Sequence, residues 1–220
     1  VVAGTGSNCT ATAIQLTQEA EEHGADAALV VTPYYNKATQ KGLIAHYSAI
    51  ADSTKLPLIL YNVPGRTGTN IAPQTVATLR KTKKNIVGVK DATANLAQTS
   101  EMMRLCDGDI ELYSGEDGLV VPILSLGGIG VISVVSNVAP HDVHEMVMSF
   151  LNGDIEKARQ IQLRELPLVD ALFCEVNPIP VKTAMNLMGK EVGPLRLPLC
   201  EMEPENLEKL KKAMKDYGLL

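Results

Sequence analysis

Residues 58–90 read LILYNVPGRTGTNIAPQTVATLRKTKKNIVGVK. The stretch opens on an apolar run, LILYN at 58–62, that ends in Tyr61 and Asn62. A loop rich in Pro and Gly follows, then a helical segment over 73–81 with Pro73 in its first turn, where a missing N–H is tolerated. A second apolar run, IVGVK at 86–90, ends in Lys90. The order is strand, helix, strand. Both strands are apolar throughout instead of alternating, which predicts a parallel sheet buried on both faces. Each also carries a chemically capable side chain at its C-terminal end.

The same order extends in both directions. Strands are expected at 1–3, 28–32, 58–62, 86–90, 110–114 and 131–135. Helices are expected at 10–23, 40–52, 73–81, 96–106, 117–126 and 140–151, with Gly24 as a stop for the first. That makes six β/α units. From about residue 154 the strands cease, and helices are expected at 154–174, 178–189 and 204–217, the second with Asn177 as N-cap and Pro178 at its first position. The organisation read from the sequence is therefore a β/α region over 1–153 and a helical region over 154–220.

Polar residues decide between a doubly wound sheet and a barrel. Tyr34 and Tyr35 follow one strand, Tyr61 and Lys90 end the next two, Ser114 and Glu116 close another, and Ser133, Ser136 and Asn137 accompany the last. An open sheet uses only its switch-point crevice, whereas a barrel gathers the C-terminal ends of many strands at one mouth. The expectation is an α/β fold of the (β/α)8 TIM-barrel type, reduced to six of its units, with added C-terminal helices.

Composition narrows the function classes. The net charge of −5 argues against a nucleic-acid or anionic-membrane partner. No apolar run has the length of a membrane helix, and no basic-then-apolar signal segment opens the chain, which starts on VVAGTG, already within a strand. There is no Trp, and there are only two Phe and six Tyr, so the core is aliphatic and each Tyr needs a reason. The four cysteines, at 9, 106, 174 and 200, have no metal-binding or redox spacing and are expected as reduced, buried thiols.

Lys90 is the sharpest chemical signal. At the end of an apolar strand, desolvation disfavours its ammonium, and a neutral amine can attack a ketone to form an imine. The bland alternative is a solvated lysine paired with Asp91. Tyr61 can relay protons if it reaches the amine, or it is a packed strand-end tyrosine. Arg66, in a loop tightened by Pro64, Gly65 and Gly68, offers a fork for a carboxylate, or is a surface charge. Tyr34 and Tyr35 suggest a site wall or a subunit contact. Weaker features have plainer readings. GTG at 4–6 lacks the third glycine of a dinucleotide loop. GGIG at 127–130 precedes its strand and reads as a helix stop and turn. His141 and His144 have no evident third metal ligand. Glu116 and Asp117 are possible acid/base groups, Asp117 also a helix cap.

GTGSN (4–8), TPYYN (32–36), YNVPGRTG (61–68), VGVKDAT (87–93), SGED (114–117), GGIGVIS (127–133) and NPIPVK (177–182) stand in order along the whole chain. Together they resemble the dihydrodipicolinate synthase family, within the N-acetylneuraminate lyase superfamily. The resemblance implies a class I aldolase-type condensation of pyruvate with L-aspartate 4-semialdehyde to 4-hydroxy-tetrahydrodipicolinate, on the route to diaminopimelate and lysine. Lys90 would form the Schiff base, Tyr61 would shuttle protons, and Arg66 would hold the semialdehyde carboxylate. Tyr35 would reach a neighbouring subunit's site, and Gly115 and Ile132 would line the pyruvate pocket. Asn8 and Tyr34 match positions of a lysine-feedback site. The resemblance further implies a cytoplasmic homotetramer with no organic cofactor and no metal.

Two departures accompany it. The family barrel begins earlier, with two βα units that carry a threonine pair in a G-T-T-G-E motif; this sequence has no such motif, so the third member of the proton relay and two strands are missing from it. Thr12 stands where lysine-inhibited members often carry Glu, against lysine feedback. Two other readings follow. One is a non-catalytic piece or assembly module, since six strands leave open sheet edges. The other is a sibling pyruvate-dependent lyase acting on sialic or sugar acids, against which Arg66 argues.

Overall fold

The computed structural model describes residues 1–220. The chain forms two compact units, Val1–Glu116 with Pro122–Val131, and Asp117–Val121 with Ile132–Leu220. This division lies earlier than the 153/154 boundary read from the sequence, because the helix over 140–151 packs on the helix that follows it.

The first unit holds six parallel strands: β1 Val2–Gly4, β2 Ala27–Val31, β3 Leu58–Asn62, β4 Ile86–Asp91, β5 Glu111–Ser114 and β6 Gly130–Val131. Their order in the sheet is their order in the chain. A doubly wound sheet reverses order at its switch point; this sheet does not, and it follows the succession of a β/α barrel. Between the strands run α1 Thr10–Glu22, α2 Gln40–Asp52, a single turn α3 Pro64–Thr67, α4 Pro73–Thr82 and α5 Leu96–Leu105. Helices α1, α2, α4 and α5 pack in succession.

The two faces of the sheet differ. Val30, Leu60, Val89 and Leu112, aligned or alternate across β2 to β5, are completely or almost completely buried. Helix residues reach this face: the Tyr47 hydroxyl of α2 donates to the Val30 carbonyl at 3.3 Å. Val31, Tyr61, Lys90 and Tyr113 form the row that points the other way, and each is only half-buried. Burial on both faces, expected from the apolar strands, therefore holds in full for one face only.

The expected strand at 131–135 is cut to Gly130–Val131, and a 3-10 turn, Val135–Asn137, follows. Asp117 is the cause. Its Oδ2 accepts from the amides of Val134 at 2.8 Å and Val135 at 3.2 Å, and Ser133 Oγ accepts from the Ser136 amide at 2.8 Å. A buried carboxylate has captured backbone donors that β-branched residues would otherwise lend to a ladder. Asp117 thus caps a turn 17 residues on, and the expected 117–126 helix becomes a 3-10 turn, Asp117–Leu119, followed by α6 Val120–Ser125.

The second unit is helical: α7 Pro140–Leu151, α8 Ile155–Leu172, α9 Ile179–Leu187 and α10 Pro204–Tyr217. Asp154 caps α8 by accepting from the Lys157 amide. Gln162 of α8 accepts from the Val121 amide and donates to the Asp117 carbonyl, fixing the 117–121 segment. Met146, Leu168, Leu172, Leu210 and Met214 form its core. Helix α9 starts one residue later than expected: Pro178, not Asn177, is its N-cap, with no side-chain cap bond. No helix is long and apolar enough to cross a membrane.

Candidate active site

Register brings the two sharpest candidates together. Tyr61 of β3 pairs with Lys90 of β4, which pairs in turn with Tyr113 of β5. Partners in a parallel register face the same side. The Lys90 Nζ lies over the Tyr61 ring, 4.2 Å from its centre, in cation–π distance. Burial pushes the Tyr61 phenol up; Arg66 pulls it down and Glu116 pushes it up. Those two charges therefore bear on the same phenol from separate loops.

Asp91 takes no side with Lys90. It lies on the helix-facing side, almost fully buried, where Oδ1 accepts from the Thr93 amide at 2.9 Å and Oδ2 from the Thr99 hydroxyl at 2.7 Å. Its carbonyl accepts from the Gly115 amide at 2.7 Å. Asp91 ties the end of β4 to α5, and so fixes the backbone from which Lys90 projects.

Gly115 is a glycine for a steric reason. A Cβ there would lie 2.8 Å from the Ala92 Cβ and 3.1 Å from both Cγ and Cε of Lys90. Real side chains do not approach so closely, so the missing Cβ leaves the channel along which the Lys90 stem runs.

Arg66 stands on α3, closed by Pro64 at its start and by Gly68, whose φ of 69° is left-handed. The short helix within the loop was not foreseen. Thr67 is buried, while Arg66 itself is exposed. The Asn62 amide group accepts from the Ile71 amide at 3.1 Å and donates to the Asn70 side chain at 3.0 Å, which holds the far end of the loop.

Tyr35 is 89% exposed with a left-handed φ of 73°, uncommon for a residue with a side chain. It points to solvent and not toward Lys90. Asn8 and Tyr34 do meet: Asn8 Nδ2 donates to the Tyr34 carbonyl at 3.2 Å, and Asn36 Nδ2 donates to the Asn8 carbonyl at 2.9 Å. Ile132 belongs to the second unit, half-buried just past β6.

Several other features resolve into structure. A Cβ at Gly6 would lie 2.4 Å from the Val31 amide nitrogen, so Gly6 serves a close approach of backbones. GGIG ends α6, with the Gly127 amide donating to Leu124 and that of Gly128 to Ile123. Ligand atoms of His141, Asp142 and Glu145 lie within 4.8 Å of one another. The acids are already engaged, Asp142 with Arg164 and Tyr217, Glu145 with Lys157. The cysteines are all free, but only Cys106 is buried; Cys9 and Cys200 are exposed and Cys174 is half-buried. Burial of all four thiols, expected from the sequence, is incorrect.

Glu116 was underweighted in the sequence. The only signal for it is its place in SGED, after the strand that neighbours Lys90. Thr67 was missed altogether, since a threonine in a polar loop carries no signal by itself.

The model of the dihydrodipicolinate synthetase family matches residues 1–217. The 4-hydroxy-tetrahydrodipicolinate synthase of Lachnoclostridium phytofermentans is 58% identical over all 220 residues, which cover 75% of that protein. Among solved structures, the lysine-bound enzyme from Cyanidioschyzon merolae is 44% identical at a TM-score of 0.97, covering 100% of this chain and 74% of that one. The chloride-inhibited dihydrodipicolinate synthase from Acinetobacter baumannii, complexed with pyruvate, is 44% identical at a TM-score of 0.96, covering 100% and 75%. With its register-paired lysine and tyrosine and its family match over nearly every residue, the chain belongs to the dihydrodipicolinate synthetase family.

Proposed function

We propose that the chain carries the aldolase half-sites of a 4-hydroxy-tetrahydrodipicolinate synthase, condensing pyruvate with L-aspartate 4-semialdehyde. The observation that carries the reading is the Lys90–Tyr61 pair, 4.2 Å apart at the ends of adjacent strands.

In the reaction, the Lys90 amine attacks the pyruvate ketone carbon. The carbinolamine loses water and becomes a protonated imine, an electron sink for the adjacent methyl group. Loss of a methyl proton gives the enamine, whose carbon attacks the semialdehyde carbonyl, and the new alkoxide takes a proton. The amino group of the condensed product then attacks the imine carbon, closes the ring and releases Lys90. Tyr61 relays the protons of carbinolamine formation and breakdown. Arg66 holds the semialdehyde carboxylate with a bidentate fork. Gly115, against the Lys90 stem, lines the pyruvate pocket.

The remaining expectations fit the same reading. Six strands in barrel succession support a (β/α)8 barrel completed by two further β/α units. The exposed Tyr35 ring supports a contact with a second copy in a homotetramer, where it extends the proton relay. The tie between Asn8 and Tyr34 supports a small effector site, with Thr12 arguing against strong lysine feedback. A biosynthetic role supports a cytoplasmic location, and the chemistry calls on no cofactor or metal.

Borohydride trapping in the presence of pyruvate tests the proposal. Mass spectrometry is expected to place a reduced pyruvate adduct on Lys90 and on no other lysine. An unmodified Lys90, with pyruvate and reductant in excess, overturns it. Turnover with aspartate semialdehyde and none with N-acetylneuraminate separates it from the sugar-acid lyases.

A further inference from the structure

The turn that carries Arg66 is held by its neighbour, Thr67, on two sides at once. The Thr67 Oγ1 accepts from Thr32 Oγ1 at 3.0 Å and from the Thr69 amide at 3.2 Å, and its own proton is shared between the carbonyls of Thr69 at 3.0 Å and Val63 at 3.1 Å. Its backbone carbonyl accepts from the Tyr35 amide at 3.3 Å. Thr32 is completely buried and directly continues β2, where its amide donates to the Tyr61 carbonyl at 3.1 Å. Thr67 thus fastens the Arg66 turn to the strand ends beside Tyr61 and, through its carbonyl, fastens the Tyr35 loop to the same point.

We propose that Thr67 is a positioning residue for the second substrate, its hydroxyl setting where the Arg66 fork stands relative to the Lys90–Tyr61 pair. The inference rests on the reading of Arg66 as the carboxylate ligand. A bidentate fork discriminates by geometry, and a displacement of about 1 Å can cost on the order of 100-fold. Arg66 is one residue from Thr67 on a four-residue turn, so any shift of Thr67 passes directly to it.

The hydroxyl matters more than the bulk. Thr32 Oγ1 and the Thr69 amide are both buried and both donate to it. Without an acceptor they are satisfied only if the turn moves. Thr69 supplies the contrast: its own Oγ1 is buried with no hydrogen-bond partner, so its loss leaves the network intact.

The test uses the full chain, trapped on Lys90 with pyruvate and borohydride so that no turnover follows. Calorimetry then measures binding of L-aspartate 4-semialdehyde to the trapped protein. Thr67→Val is expected to weaken that binding by at least about tenfold while the trapping rate stays within roughly twofold, and Thr67→Ser and Thr69→Val are expected to bind within roughly twofold of the parent. Thr32→Val removes the same bond from its other end and is expected to weaken semialdehyde binding selectively, which keeps the test open should Thr67→Val not fold. Unchanged binding in Thr67→Val, an equal loss in Thr69→Val, or a Thr67→Ser no better than the valine overturns the inference. Failure of wild-type trapping, seen before any semialdehyde is added, overturns the functional reading itself.

Discussion

The Lys90 ammonium nitrogen stands 4.2 Å above the centre of the Tyr61 ring, and the two residues are register partners on adjacent parallel strands. The contact is to the face of the ring. Ring and hydroxyl are tested apart: a ring face at this distance stabilises a cation, while the relay proposed for Tyr61 rests on its hydroxyl.

Tyr61→Phe keeps the ring and removes the hydroxyl. Adduct formation at Lys90 and turnover are expected to fall by about 100-fold or more, within the range of general acid–base contributions, with the adduct still on Lys90. Tyr61→Ala removes the support as well and is expected to lower stability by about 2 kcal/mol, less than for a fully buried aromatic. Trapping time courses and urea unfolding read both quantities. A Phe variant with the parent's turnover removes the phenol from the proton path.

Gly115→Ala tests the channel for the Lys90 stem. The added methyl meets Ala92 and two carbons of Lys90 at distances that one of them has to relieve. Ala92 is attached to backbone and yields little, so the lysine stem moves. The expected result is a stability loss of about 1–3 kcal/mol, typical of overpacking, and a pyruvate-trapping rate reduced by about tenfold or more. Trapping at the parent's rate shows that the stem tolerates the methyl.

The meeting of Lys90 and Tyr61 was legible in the sequence, because consecutive parallel strands of a β/α series align their C-terminal ends. Helices α2 and α7 and strand β3 also stand where their patterning places them. What was not legible depends on contacts distant in sequence. VISVV at 131–135 has every local preference for a strand, yet Asp117, far back in the chain, captures its amides. Asp91 follows Lys90 and reads as its ion-pair partner, but alternation sends it to the opposite face, to Thr93 and Thr99. Tyr35 is a bulky residue in a left-handed conformation that no local rule selects.

Cys9 offers a chemical probe of the Asn8 region. It precedes α1 as N-cap without a side-chain cap bond, is exposed, and its thiol is held below the ordinary range, foremost by the nearby Thr12 amide. Burial pushes the thiols of Cys106 and Cys174 up. Since the thiolate is the nucleophile, iodoacetamide near pH 7 is expected to modify Cys9 about tenfold faster than Cys106 or Cys174. Peptide mass spectrometry gives the order directly. Cys106 reacting as fast as Cys9 contradicts it.

Glu165 makes stability fall with rising pH in one window. Its side chain is completely buried on α8; Oε2 has no hydrogen-bond partner, and Oε1 is 3.5 Å from the Tyr217 hydroxyl of α10. Burial foremost, with the negative charges of Asp117 and Asp142, raises its pKa from 4.5 to about 7, against opposing contributions from Arg164 and the Tyr217 hydroxyl. Below 4.5 the carboxyl is neutral in folded and unfolded chains alike. As pH rises toward about 7, the unfolded chain releases a proton that the folded one retains, so stability falls, and the loss is complete once the folded group has ionised. The loss is up to about 3 kcal/mol for a shift of this size. Asp142, held low by the Tyr217 hydroxyl, His141 and Arg164 despite its burial, acts in the opposite sense only below its ordinary 3.8, outside the window. His46, whose pKa burial lowers from 6.5, acts in the opposite sense in the same window, adding stability as pH rises, so urea unfolding at about pH 5.5 and about pH 8 is expected to show Glu165→Gln gaining stability at the higher value relative to the parent. Equal slopes in the two proteins place the titrating group elsewhere.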